Sequence, residues 1–105
     1  MAINTSQRAV PAPELKETMT GSQVLIGTLI ANPVIIIFDN LGTVQVEITL
    51  GDVLWKTFDG GEALILDMRG NHGIAPNFTF DEGMAIYGNG ASGDFSVSYI
   101  YAKNS

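Results

Sequence analysis

Between Thr43 and Leu50 the chain alternates strictly, with Val44, Val46, Ile48 and Leu50 on one side and Thr43, Gln45, Glu47 and Thr49 on the other. A period of two puts successive side chains on opposite faces of a strand, so this segment predicts a β-strand with one core face and one wet face. Shorter runs recur at Val24 to Ile30, Val34 to Phe38, Val53 to Phe58, Glu62 to Met68, Asn77 to Phe80, Met84 to Tyr87 and Asp94 to Ala102. Within them Leu64, Leu66 and Met68, and later Phe95, Val97, Tyr99 and Tyr101, share inward faces. Turn residues separate the runs: Ala31-Asn32-Pro33, Asp39-Asn40-Leu41-Gly42, Gly51-Asp52, Asp59-Gly60-Gly61 and Asp81-Glu82-Gly83. Gly-terminated turns of this kind read as hairpins. The pattern predicts an all-β fold, a small antiparallel β-sandwich or jelly-roll-like domain of about eight short strands over residues 24–105.

Residues 1–23 follow neither period. They hold Pro11, Pro13 and small polar residues, with apolar side chains only singly at Ile3, Val10, Leu15 and Met19. Pro13 would suit the first position of a helical turn over Glu14 to Thr18, but no apolar stripe sustains one. The segment reads as an extended N-terminal arm whose four apolar residues bind a partner surface. Ordering an extended segment costs about 1–2 kcal/mol per residue in backbone entropy, more than scattered contacts on its own sandwich are expected to return.

Val34-Ile35-Ile36-Ile37-Phe38 is apolar at consecutive positions, although an antiparallel strand normally shows one face to water. Either the arm covers its outer face through Ile35 and Ile37, or another subunit does, because an uncovered run is an aggregation site. Leu54 and Phe58, which share a face with Lys56 under strict alternation, pose the same question on another strand. Homo-oligomerisation is therefore expected.

Composition narrows the partners. The 105 residues are 46% hydrophobic and 15% charged, with no Cys and a net charge of −6 from 5 basic and 11 acidic side chains. Soluble surfaces usually carry roughly 25–35% charged residues, so part of this surface is expected to face protein. Five cations in an acidic chain cannot neutralise a row of phosphates, which argues against nucleic acid and anionic membranes. The longest apolar stretch, 24–38, is interrupted by Gly27, Asn32 and Pro33 and is shorter than the ~20 residues of a membrane helix. The first residues lack the basic start and apolar run of a secretory signal, so synthesis in a cytoplasm is expected.

No catalytic, cofactor or metal site is expected. Gly88-Asn89-Gly90-Ala91-Ser92-Gly93 matches G-x-G-x-x-G, but a strand follows where a dinucleotide site needs a helix. The single imidazole, His72, stands in a long loop, Arg69 to Pro76, and without Cys the usual zinc ligands are missing. Carboxylates at Asp39, Asp52, Asp59, Glu62, Asp81 and Glu82 read as solvated turn residues. Trp55, Tyr87, Tyr99 and Tyr101 could form a sugar-stacking platform, although aromatics in such strands are more often core.

The segment Val34 to Ile48 with Asn40-Leu41-Gly42, then Gly61 to Asp67, and the ending Ala85-Ile86-Tyr87 through Gly93 to Ser98-Tyr99-Ile100-Tyr101-Ala102 resemble the small β-sandwich accessory proteins of tailed-bacteriophage virions. These include capsid decoration proteins and head or tail attachment domains. The resemblance implies a non-enzymatic structural virion protein, made in the host cytoplasm. It would form an oligomer, such as a trimer, and bind the major capsid protein or other virion proteins without a cofactor. The long Arg69-to-Pro76 loop and the arm depart from the pattern. The alternative is a carbohydrate- or receptor-binding β-sandwich module for host attachment.

Overall fold

The computed structural model describes residues 7–68 and 80–104, and every regular element among them is a strand. These are β1 (Gln7–Pro11), β2 (Leu15–Thr18), β3 (Val24–Thr28), β4 (Pro33–Asn40), β5 (Val46–Leu50), β6 (Val53–Phe58), β7 (Ala63–Asp67), β8 (Ala85–Gly90) and β9 (Asp94–Asn104). They form two antiparallel sheets: a five-stranded one in the order β1-β9-β4-β7, with β2 also paired to β9, and a four-stranded one in the order β3-β8-β5-β6. The expected all-β sandwich is present. Along β5 the alternation holds, with Val46, Ile48 and Leu50 buried and Glu47 exposed. Ile36, Phe38, Phe58, Ile86, Phe95 and Val97 complete the dry layer, each worth about 1.5–3 kcal/mol of burial.

The turns join the strands differently from the hairpins expected. Only Gly51-Asp52 links neighbours within one sheet, β5 to β6. The segments 41–45, 59–62 and 91–93 are arches that carry the chain from one sheet to the other. Asn40 explains the first. Its fully buried amide donates to the carbonyls of Val44 (2.8 Å), Asp59 (2.9 Å) and Phe58 (3.3 Å), and its Oδ1 accepts from the Gly42 amide (3.1 Å). Those bonds fold the chain out of its own sheet and tie two arches together. Gly42 serves close approach: a Cβ there would lie 3.1 Å from the Cα of Gly93 in the adjacent arch. Of the strand expected at Asn77 to Phe80, residues 77–79 lie outside the described residues. Phe80 is buried against Phe38 and Trp55. The Asp81-Glu82-Gly83 turn bonds to the end of β3 through Gly83 N to Leu29 O (2.8 Å), and β8 pairs with β3 and β5.

The arm is a correction as well. Instead of lying apart from residues 24–105, it supplies β1 and β2 of the five-stranded sheet, both antiparallel to β9. The amides of Ala12, Met19 and Gly21 continue the bonding to Tyr99, Gly93 and Gly90 carbonyls at 2.7–2.9 Å. Backbone hydrogen bonds leave no trace in an apolar pattern, so what its own sandwich returns to the arm is not visible in the sequence. Met19 is 3% exposed and belongs to the core, and Leu15 packs against that core.

Phe58 is corrected for another reason. The β5–β6 register shifts between Ile48 and Thr49, leaving Trp55 as an extra residue on β6. Such a bulge re-aims side chains. Leu54 therefore faces solvent at 60% exposure while Phe58 is fully buried, and the two do not share a face.

Candidate functional site

With Ile36 and Phe38 pointing into the core, period two turns Ile35 and Ile37 to the outer face of the five-stranded sheet. Register then builds rows across the strands. Pro11, Ile100, Ile35 and Asp67 stand opposite one another in sequence across β1, β9, β4 and β7, and beside them Ser98, Ile37 and Ile65 form a second row. Ile65 is 65% exposed, and Ile35, Ile37 and Ile100 are half-buried. Pro11, Ala12, Ile35, Ile37, Ser98, Tyr99 and Ile100 line a groove of about 350 Å³. The described part of the arm, residues 7–23, does not cover this face: it lengthens the sheet sideways, and Pro11 and Ala12 become one wall of the groove. The carboxylates of Asp39 and Asp67 sit at its margin by the same alternation.

The outer face of the four-stranded sheet differs. Leu25, Tyr87, Thr49 and Leu54 align across its strands, next to Asn89, Glu47 and Thr57. Polar and apolar side chains are interleaved there, as on an ordinary wet face.

Of the eight residues singled out in the sequence, the structure brings only Ile35 and Ile37 together. Ile3 lies outside the described residues. Val10, opposite Tyr101, is half-buried on the inner side of β1, Leu15 and Met19 point inward, Leu54 lies on the other sheet and Phe58 is core. Ile65, Ile100, Pro11 and Ala12 were missed. Ile100 carried a signal, since it interrupts the polar positions Ser96 and Ser98 of its own face.

The remaining motifs resolve into packing. Gly88 and Gly90 stand in β8, where a Cβ on Gly88 would lie 3.0 Å from Met19 Sδ and one on Gly90 2.8 Å from Val46 Cγ2. They leave room for Met19 rather than for a phosphate. Trp55 is wedged 4.9 Å from Phe38 and 5.7 Å from Phe80, ring centre to ring centre, and the buried Tyr99 hydroxyl accepts from the Ile30 amide (2.8 Å). With Tyr87 outward and Tyr101 inward, the four aromatics form no common platform. His72 lies outside the described residues.

Titratable chemistry is sparse. Lys56 Nζ donates to Glu62 Oε2 (2.9 Å) while Glu62 Oε1 accepts from the Asp59 amide (2.9 Å). The Lys56 ammonium and that amide hold the Glu62 carboxyl below its ordinary range. Both lone-pair sets serve the arch. Among the described residues no group of three or more His, Cys, Asp or Glu is placed to hold a metal, no helix is long and apolar enough to cross a membrane, and no buried side-chain polar atom lacks a hydrogen-bond partner. The outer face of the five-stranded sheet, with its apolar groove, is the candidate site. No protein-family model matches the chain, and searches of curated proteins and of solved structures find no match either.

Proposed function

We propose that this chain is a non-enzymatic structural virion protein, a decoration or stabilising protein that associates with itself and binds the capsid lattice of a tailed bacteriophage. The observation that carries the binding role is the apolar cluster of Pro11, Ile100, Ile35, Ile37 and Ile65, bordered by Ser98 and Asp67, on the outer face of one sheet. A grooved, aliphatic face suits another protein's apolar surface, which shares its need for cover. It offers no charge to an anionic ligand and no exposed aromatic platform to a sugar, and so supports the structural reading over host-glycan attachment. The virion assignment rests on the sequence resemblance.

The test is sedimentation of the purified chain with and without phage capsids, paired with light scattering. The chain is expected to pellet with capsids and to scatter as more than a monomer, and Ile37→Asp is expected to abolish pelleting while the chain stays folded. A monomer that remains in the supernatant overturns the proposal.

A further inference from the structure

We infer that residues 7–20 are an exchangeable strand pair, donated by one copy of the chain to β9 of a second copy. This goes beyond the virion reading and stands or falls without it. The arm meets the rest of the molecule through the edge of β9 and through side-chain plugs at its second half. A Cβ on Gly27 would lie 2.6–2.9 Å from the branched end of Leu15, and one on Gly88 would lie 3.0 Å from Met19 Sδ and 3.2 Å from Met19 Cε. Remove the arm, and β9 keeps β4 on one edge but loses β1 and β2 from the other, while glycine notches open between the sheets. That is a receptor shaped for a strand with apolar residues at the Leu15 and Met19 spacing.

The link that follows the arm suits exchange. Gly21, Ser22 and Gln23 are all exposed, and Gly21, whose amide donates to the Gly90 carbonyl (2.7 Å), takes a φ of +90° with nothing within 4 Å of where a Cβ would sit. Reorienting these few residues would send the arm to another molecule while every bond to β9 is kept, the low-cost route to a domain-swapped assembly. Charge agrees. Arg8 and Lys16 balance Glu14 and Glu17, so the arm is neutral and the net −6 resides in the body. A neutral arm crosses between two acidic bodies without adding repulsion. The exchanged arm also carries Pro11 and Ala12, so one wall of the apolar groove then comes from the partner copy.

In the closed form the short link holds the arm near its own β9 at an effective concentration on the order of mM. Exchange is therefore favoured when chains fold while crowded. The test exploits the absence of Cys. Thr18 and Asp94 stand opposite each other with side-chain oxygens 2.6 Å apart, so a T18C/D94C variant can lock the arm by a disulfide. T28C/A85C, across β3 and β8, is the control. Both are refolded over a range of concentrations, oxidised and run on non-reducing gels. The arm pair is expected to shift several-fold toward covalent dimer as refolding concentration rises, while the control stays monomeric. Arm-pair monomers at every concentration overturn the inference. A second measurement uses the unmodified chain refolded at high concentration with excess synthetic peptide 7–20. Its scattering mass is expected to fall toward the monomer, and an unchanged mass overturns the inference as well.

Discussion

The sandwich is closed at its two sides by different physics. On the β2 and β3 side the closure is dry: Leu15 lies over Gly27, and Met19 fills the space left by Gly88 and Gly90. On the β6 and β7 side the aromatic cluster of Trp55, Phe58 and Phe80 is edged by a solvated ion pair. Lys56 bonds to Glu62 there, with its ammonium 4.7 Å above the Phe58 ring, and the Asp59–Glu62 arch closes on its own backbone. Apolar burial scales with area and survives salt, whereas a solvated ion pair adds little and is screened. The dry side should therefore dominate stability, and the wet side should set the response to pH.

The largest effect is expected at the plug. Met19→Ala should cost about 2–5 kcal/mol, since truncating a buried Met leaves a cavity. For a domain of this size that lowers Tm by at least roughly 10 °C. Adding Gly88→Ala sharpens the point. A Cβ at Gly88 would lie 3.0 Å from both Ile26 Cδ1 and Met19 Sδ in the parent chain, and Met19→Ala removes the second of these contacts, so the double variant should be more stable than the sum of the singles. Additive losses would mean that Met19 does not occupy the notch.

Next in size is Trp55→Leu. Trp55 joins the aromatic cluster of Phe38, Phe58 and Phe80 as the extra residue of a bulge. Losing its ring contacts should cost about 1–2 kcal/mol, because paired aromatics are worth ~0.5–1.5 kcal/mol beyond area. Calorimetry would show it. A loss larger than that of Met19→Ala would reverse the ranking of the two sides.

The two sides were also unequally legible in the sequence. The strands from β3 to β9, the inward face of β5 and the β5–β6 turn at Gly51-Asp52 followed from alternation and turn chemistry, whereas β1 and β2 did not. The arches did not, because Gly and Asp serve arches and hairpins alike, and only the buried amide of Asn40 decides between them here. Met19 carries no core signal in the sequence because the glycines that receive it, Gly88 and Gly90, stand far along the chain. The open face was half legible: the double-sided run at Val34 to Phe38 exposed Ile35 and Ile37, but joining Ile65 and Ile100 to them needs register, which a single sequence does not carry. Phe58 was misplaced because a bulge resets the period without a residue that announces it.

The smallest effect belongs to the wet side and is one of pH. The Lys56 ammonium and the Asp59 amide hold the folded-state Glu62 carboxyl below its ordinary value of 4.5. A carboxyl depressed on folding adds stability that is fully present above its unfolded value and disappears as pH falls through the folded value. Wild type should thus exceed Glu62→Gln in Tm near neutrality, by several-fold less than the loss in Met19→Ala, and the gap should close as pH falls below about 4.5. Because the pair is solvated, about 1 M salt should narrow the gap at neutral pH too. Tm measured for both proteins across pH 2–7, at low and high salt, is the check. A gap that stays constant from neutral to acid would assign Glu62 an uncharged packing role, and the contrast between a dry and a wet closure would lose its electrostatic half.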